Sequence, residues 1–162
     1  MAYSIRPYRK DDAEALAEVI AAAIHEIGPH AYSPEQVAAW GARHPGPERY
    51  RERVAEGHVI FVAADGEDRP VAYALLEPDG HLDHLYNHPD HTRRGLATQL
   101  LAAAETHAVA LGVERLYTEA SDLARPAFER AGYVATHKRE FTIPHAERDI
   151  PIHNWAMEKR LK

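Results

Sequence analysis

Cysteine is absent from the 162 residues, and its absence removes three chemistries together: a disulfide framework, a thiolate metal site and a covalent acyl-cysteine intermediate. Long apolar runs are also missing. No stretch approaches the ~20 apolar residues of a membrane span, and Met1 to Lys10 lack the apolar core of a signal peptide. The expected location is the cytoplasm, with no membrane partner. Basic residues are outnumbered, 19 Lys and Arg against 25 Asp and Glu, for a formal net charge of −6. That balance argues against nucleic acid as the main partner, because phosphate contacts need clustered cations. It suits a cationic or neutral small ligand somewhat better than an anionic one, although net charge speaks to solubility and steering more than to a site. Repeats, low-complexity tracts and linkers are lacking. With 45% hydrophobic residues, a single domain over residues 1–162 with its own core is expected.

Two common phosphate motifs are absent as well, G-x-x-x-x-G-K-S/T and G-x-G-x-x-G, so neither an NTPase nor a dinucleotide loop is indicated. What is present is the stretch His91-Thr92-Arg93-Arg94-Gly95-Leu96-Ala97-Thr98-Gln99-Leu100-Leu101, which joins a strand pattern to a long helix pattern. Gly95 lets a ligand approach the backbone and tolerates turn conformations that other residues resist. Leu96, Leu100, Ala104, Ala108 and Leu111 recur at helical spacing, so a helix from about Arg93 to Leu111 is expected. Its unpaired N–H groups would face back toward the strand and attract an anion, with the guanidinium groups of Arg93 and Arg94 beside them. Taken alone, an arginine pair and a glycine before a helix is also an ordinary solvated turn.

Elsewhere the pattern mixes strands and helices. Strands are predicted over 3–8, 59–64, 70–77, 81–87, 113–118, 133–143 and 152–161, the second and third as a hairpin. Asp11 to Glu14 opens a helix running to about Ile27, where Gly28-Pro29 stops it. Ser33-Pro34-Glu35-Gln36 has the form of a capping box for a second helix, and a third is expected over 47–56. A short helix from Asp122 or Leu123 tolerates Pro126 only in its first turn and closes at Gly132. Hairpins at both ends of the chain imply an α+β sheet rather than a doubly wound one.

The segment "LDHLYNHPDHTRRGLATQLL" (82–101) resembles motif A of the GNAT superfamily of acyl-CoA-dependent N-acyltransferases, Q/R-x-x-G-x-G/A after a strand. Gly95 and Ala97 match, and Thr92 stands where Gln or Arg is usual. "TEASDLARPAFERAGY" (118–133) and "AYSPEQVAAW" (31–40) extend the resemblance toward a small, YafP-like bacterial branch of the superfamily. The resemblance implies a GNAT fold: a mixed sheet of six to seven strands splayed in the middle, flanked by about four helices, with acyl-CoA in the split. It further implies an N-acetyltransferase that moves an acetyl group from acetyl-CoA to a primary amine of a small molecule or peptide, in one ternary complex. A catalytically silent acyl-CoA-binding or protein-interaction module on the same fold is the alternative. A homodimer is left open.

Residue roles implied by the resemblance are as follows. Backbone N–H groups of Leu85, Tyr86 and Asn87, at a bulge before the cradle, would polarise the acyl carbonyl. Those from Arg93 through Gly95, Leu96, Ala97 and Thr98 would hold the pyrophosphate, with Arg94 helping. Ser121 falls where an Asn often touches the pantetheine arm, and Phe128 stands where the superfamily often has Tyr. Phe cannot protonate a thiolate, so no dedicated protein acid is expected unless Ser121 or Tyr133 serves. Tyr32, Trp40 and His44, in or after the helical insert, would line the acceptor pocket, Trp40 equally reading as core. His84 suits a general base by its ordinary pKa and Asp83 by its position. Neighbours on a regular strand point to opposite faces, so only a bulge would let both reach the site. No metal is expected: His84 and His88 share a face but lie roughly 13 Å apart along a strand.

Overall fold

A computed structural model describes residues 2–44 and 46–162. Seven strands form two antiparallel sheets. The first is ordered β1 (Ser4–Pro7), β2 (Val59–Ala64), β3 (Pro70–Leu76) and β4 (Leu82–Asn87), and the second β5 (Arg115–Ala120), β7 (Arg148–Arg160) and β6 (Val134–His145). The two meet at one parallel bridge, His81 to Tyr117. Tyr117 donates its N–H to Gly80 O (3.1 Å) and Thr118 its hydroxyl to Leu82 O (2.7 Å). Beyond Leu82 the strands separate, giving the split sheet of a GNAT fold.

Five helices cover the two faces: α1 (Ala13–Ala22), α2 (Pro34–Gly41), α3 (Pro47–Ala55), α4 (Leu96–Ala110) and α5 (Arg125–Arg130). Strand β3 is buried along its whole length, and its alternation serves both faces. Tyr73 and Leu75 pack with Leu16, Ile20, Ile24 and Tyr50 from the α1 and α3 side. Ala72, Ala74 and Leu76 pack with Leu96, Leu100, Ala104 and Ala108 of α4. The small alanines on that second face let α4 lie close to the sheet. Among the described residues no helix is long and apolar enough to cross a membrane.

Local chemistry explains the boundaries. The capping box before α2 forms: Ser33 Oγ accepts from Gln36 N (3.1 Å), and Gln36 Oε1 accepts from Ser33 N (2.9 Å). The first helix does not run unbroken to Ile27, because its α-helical part ends at Ala22 and a π turn follows over Ala23–Ile27. Helix α4 begins at Leu96, later than expected, since Arg93 (φ 60°) and Gly95 (φ 74°) are both left-handed. Helix α5 begins at Arg125, because Ser121 Oγ first caps a turn at Ala124 N (3.1 Å). The β6–β7 hairpin is much longer than expected. Its two-residue turn places Ala146 (φ 52°) and Glu147 (φ 63°) in the left-handed region, a turn normally signalled by Asn or Gly.

Gly80 pins the join between the sheets. Its φ is 103°, and a Cβ there would lie 2.3 Å from Arg115 O, whereas at Gly57 (φ 98°) the nearest atom is 4.0 Å away. Gly80→Ala is therefore expected to destabilise by more than about 2 kcal/mol and Gly57→Ala by about 1 kcal/mol. Denaturant unfolding of the two variants measures the difference, and equal losses would mean that Gly80 is only a turn residue.

Candidate active site

Strand β4 carries the site. His84 pairs with Leu75 and Leu82 with Leu76, so Asp83 is the extra residue of a bulge. The bulge lets neighbours share a face: Asp83, His84 and Tyr86 all line a cavity of about 500 Å³ under α1, α2 and α3. Trp40, His44, Arg53, Glu119 and Phe141 are among its other walls.

His84 sits at the end of a directed hydrogen-bond chain. Tyr50 OH donates to Leu16 O (3.5 Å), Tyr50 and Tyr73 hydroxyls lie 2.6 Å apart, and Tyr73 OH is 2.8 Å from His84 Nδ1. The Tyr73 hydroxyl thus engages Nδ1, and Nε2 is the ring nitrogen turned toward Arg53 and Asp83. Burial holds the imidazole neutral, well below its usual range, although Asp83 opposes that effect. His44 stacks edge-on against His84 (5.5 Å) and Tyr86 (6.1 Å). Its pKa is lowered to about 4 by burial and by Arg43.

Arg53 organises the carboxylates. It donates to Asp83 Oδ2 (2.5 Å) and Glu77 Oε2 (3.1 Å), and its Nη1 lies 3.5 Å from His84 Nε2. Burial would raise the Asp83 pKa, but the hydrogen bond and charge of Arg53, with the charge of His81, hold it below the usual carboxylate range. His81 bridges Glu77 (2.7 Å) and Glu119 (2.8 Å). Burial works against its charge, yet these carboxylates bring its pKa up to about 9. Glu77, His81 and Asp83 are close enough to share an ion. Here His81 Nδ1 faces Glu77 and Nε2 faces Glu119.

A second pocket, of about 310 Å³, lies between α4, α5 and β4. Leu85, Tyr86, Asn87, Arg93, Ala97 and Ser121 line it as expected from the sequence. A narrower chamber of about 100 Å³ shares Leu85 and Ser121 with it and Asp83 and Glu119 with the larger cavity, and Trp40 and Tyr86 face all three. His88 donates its N–H across to Val71 O (2.8 Å). Alternation along the strand then sends the Tyr86 N–H into the β3 ladder and those of Leu85 and Asn87 into the split. Tyr86 thus contributes its ring rather than a backbone donor. Asn87 Oδ1 is buried there without a partner.

The loop before α4 has an open backbone. Alternating left-handed turns at Arg93 and Gly95 leave α4 without a side-chain cap, so the first N–H groups, at Leu96, Ala97 and Thr98, are open to an anion. Nothing lies within 4 Å of where a Cβ on Gly95 would be. Arg93 and Arg94 are exposed beside it, while the Leu96 side chain is core. Arg130 of α5 also lines the pocket, a residue that sequence reasoning missed.

Three other expectations shift in role. Tyr32 lines the narrow chamber instead of the large cavity, and its hydroxyl joins His153 O (3.1 Å) to Asp122 N (3.0 Å). Phe128 faces that chamber too, packed edge-on against Tyr133 at 5.0 Å. The Tyr133 hydroxyl is buried without a partner and lines none of the three spaces, so it is not placed to protonate a leaving group there. Arg53, His81, Glu119 and Tyr73 were missed. The readable signal was the helical spacing of Tyr50, Arg53 and Val54, which puts an arginine on the buried face of a charged helix.

The split sheet, with an uncapped helix end at the split and buried His84 on the strand beside it, is the fold of the acyl-CoA N-acyltransferases, and residues 29–146 match the family model of the acetyltransferase (GNAT) domain. The chain belongs to the GNAT acetyltransferase family. It is similar to an uncharacterized N-acetyltransferase, YafP, of Escherichia coli K12, with 29% identity over 129 residues, 80% of this chain and 79% of that one. A GCN5-related N-acetyltransferase structure from Rhodopseudomonas palustris has 33% identity and a TM-score of 0.85, covering 99% of this chain and 97% of that one. The PaiA N-acetyltransferase of Thermoplasma acidophilum, solved with coenzyme A, shares the fold at 17% identity and a TM-score of 0.78, with 99% of both chains covered.

The His81 pairing links stability to pH. Its pKa lies above the ordinary 6.5 in the folded state, so its contribution is fully present below pH 6.5 and is lost as pH rises through about 9. The stability difference between the wild type and His81→Gln should be largest near pH 6 and shrink by up to about 3 kcal/mol by pH 10. Urea unfolding across that range tests it, and a difference independent of pH would mean that His81 is neutral in the fold.

Proposed function

We propose that the chain is an N-acetyltransferase that moves an acetyl group from acetyl-CoA to the primary amine of a small molecule, by direct transfer in a ternary complex. The observation that carries this reading is a row of three spaces with shared walls: Asn87, Arg93 and Ala97 line the one at the start of α4, Leu85 and Ser121 line that one and the narrow chamber, and Asp83 and Tyr86 line the chamber and the large cavity that holds His84. The residues suit the co-substrate: open backbone at Gly95, free helix N–H groups for a pyrophosphate, flanking arginines and an unpartnered Asn87 oxygen for an amide of the arm. The absence of cysteine fits transfer without an acyl-cysteine.

The reactive species is the neutral amine, formed when the acceptor's ammonium group gives one proton to solvent; transfer then forms one C–N bond and breaks the thioester C–S bond, while a second nitrogen proton leaves through His84 to water and sulfur takes one from water. Asp83 and Glu119 attract the incoming ammonium group into the cavity. His84 Nε2 accepts a proton from the nitrogen, and Asp83, 3.5 Å from Nε2, stabilises the imidazolium that results. Leu85 and Asn87 N–H groups face the place where negative charge develops on the carbonyl oxygen. Trp40 and Tyr86 keep water from the junction of the three spaces. Ser121 is engaged as a cap, and water at the open side of the split supplies the proton for sulfur.

Binding is tested without knowing the acceptor. Acetyl-CoA at a hundred times its dissociation constant should add about 2.7 kcal/mol, a rise in Tm of roughly 5–10 °C. Gly95→Asn tolerates the left-handed backbone and fills the open space. It should fold and lose most of that rise. No shift for the wild type at millimolar acetyl-CoA would remove the reading, while a shift with no turnover of any amine would favour the silent module.

Because burial keeps His84 neutral through the assay range, the acid limb of kcat/KM should follow the acceptor's own ammonium pKa. Amines of lower basicity should move that limb down by the same interval. A limb fixed at one pH for all amines would instead report a group of the enzyme.

A further inference from the structure

The charges lining the acceptor cavity are not evenly satisfied. Four arginines border it, Arg43, Arg49, Arg53 and Arg139, against two carboxylates, Asp83 and Glu119. Arg53 is held by Asp83 and Glu77, Arg49 by Glu52 and Glu56, and Glu119 by His81. Among the described residues Arg43 and Arg139 have no carboxylate partner. Arg139 is half-buried, which makes an unpaired charge costly. Its guanidinium donates only to the neutral Asn154 Oδ1 (2.8 Å) and rests over the Phe141 ring at 5.2 Å. The remaining donors of its planar fork match two oxygens of one acid group. Arg43, two residues past the end of α2, is exposed and lines the same cavity.

This local excess of positive charge runs against a chain of net charge −6 and against the neutral or cationic acceptor that the overall balance suggests. We infer that the acceptor is a zwitterion, a small primary amine that also carries a carboxylate or phosphonate. Its ammonium end faces Asp83 and Glu119, and its acid oxygens lie between Arg43 and Arg139. The inference rests on the acetyltransferase reading for its chemistry, but the site is defined by the cavity alone. A volume of about 500 Å³ suits a small molecule.

The test uses pairs matched in size and close in amine basicity: γ-aminobutyrate against γ-aminobutyramide, and longer ω-amino acids against their amides, with aminopropylphosphonate as a further acid probe. Thiol release from acetyl-CoA is clean because the chain has no thiol. The best acid is expected to exceed its neutral twin at least about tenfold in kcat/KM, and Arg43→Gln or Arg139→Gln to lower that ratio roughly 10–100-fold. Arg49→Gln, whose arginine already has carboxylate partners, should leave the ratio in place. A rise in Tm with the acid probe alone, absent with its amide and lost in Arg139→Gln, is the readout that needs neither acetyl-CoA nor turnover. Neutral twins turned over as well as the acids, or a ratio that survives both substitutions, would overturn the zwitterion and leave the acetyltransferase standing. Stabilisation by acetyl-CoA with no thiol release from any amine would overturn the acetyltransferase, and the Tm shift with the acid probe would still decide the site.

Discussion

The separation of β4 from β5 is the constraint on which the rest of the structure depends. Two antiparallel sheets touch at a single bridge beside Gly80, where the backbones are too close for any side chain. From that point the strands diverge, and the bulge at Asp83 follows almost at once. Divergence leaves backbone donors of β4 unpaired in a dry slot, a state normally expensive for a protein. It persists because both sheets are clamped elsewhere, by α4 on one face and by the α1 and α3 cluster on the other. Polar groups idle in the free chain are thereby directed at a place where a carbonyl oxygen can sit.

The same bulge sets the electrostatics. On a regular strand Asp83 and His84 would face apart; here both look into one cavity and both meet Arg53. Arg53 could not be buried without carboxylates, and Asp83 and Glu77 could not approach each other without Arg53 and His81. The consequence is a group of fixed charges around one neutral imidazole. Its Nδ1 is engaged by Tyr73, and Tyr73 by Tyr50, from the far side. Removing any one charge leaves another buried without compensation, so the network is best regarded as one unit.

The two halves of the site differ in how far they could be read from the chain. The cradle is contiguous: Arg93, Gly95 and the apolar repeat of α4 lie within twenty positions, and only the start of the helix was misplaced, by left-handed turns that Arg93 gives no hint of. The α2 capping box and the β2–β3 hairpin are local in the same sense. The acceptor cavity instead draws on α1, α2, α3, β4, β5, β6 and β7. No periodicity brings Arg139 to Asn154 or Glu119 to His81. Those pairings are set by strand register, and the β6–β7 register hinged on an Ala-Glu turn with no sequence signature. His84 was legible as a residue but not as a neutral one, because its environment comes from Tyr73 and Arg53.

That contrast has a physical basis. A pyrophosphate can be held by backbone geometry, which a glycine and a helix start encode over a few residues. Discrimination among amines requires side chains converging from several directions, and charge there is a local property. The acidic composition of the chain describes its outer surface, where most Asp and Glu residues lie. Within the cavity each carboxylate already has a cation of the protein's own, and the cations left over are Arg43 and Arg139. An acceptor entering this space meets Asp83 and Glu119 as well as arginines without carboxylate partners. A zwitterion answers both, with its ammonium group drawn inward past the surface and its acid group held beneath it.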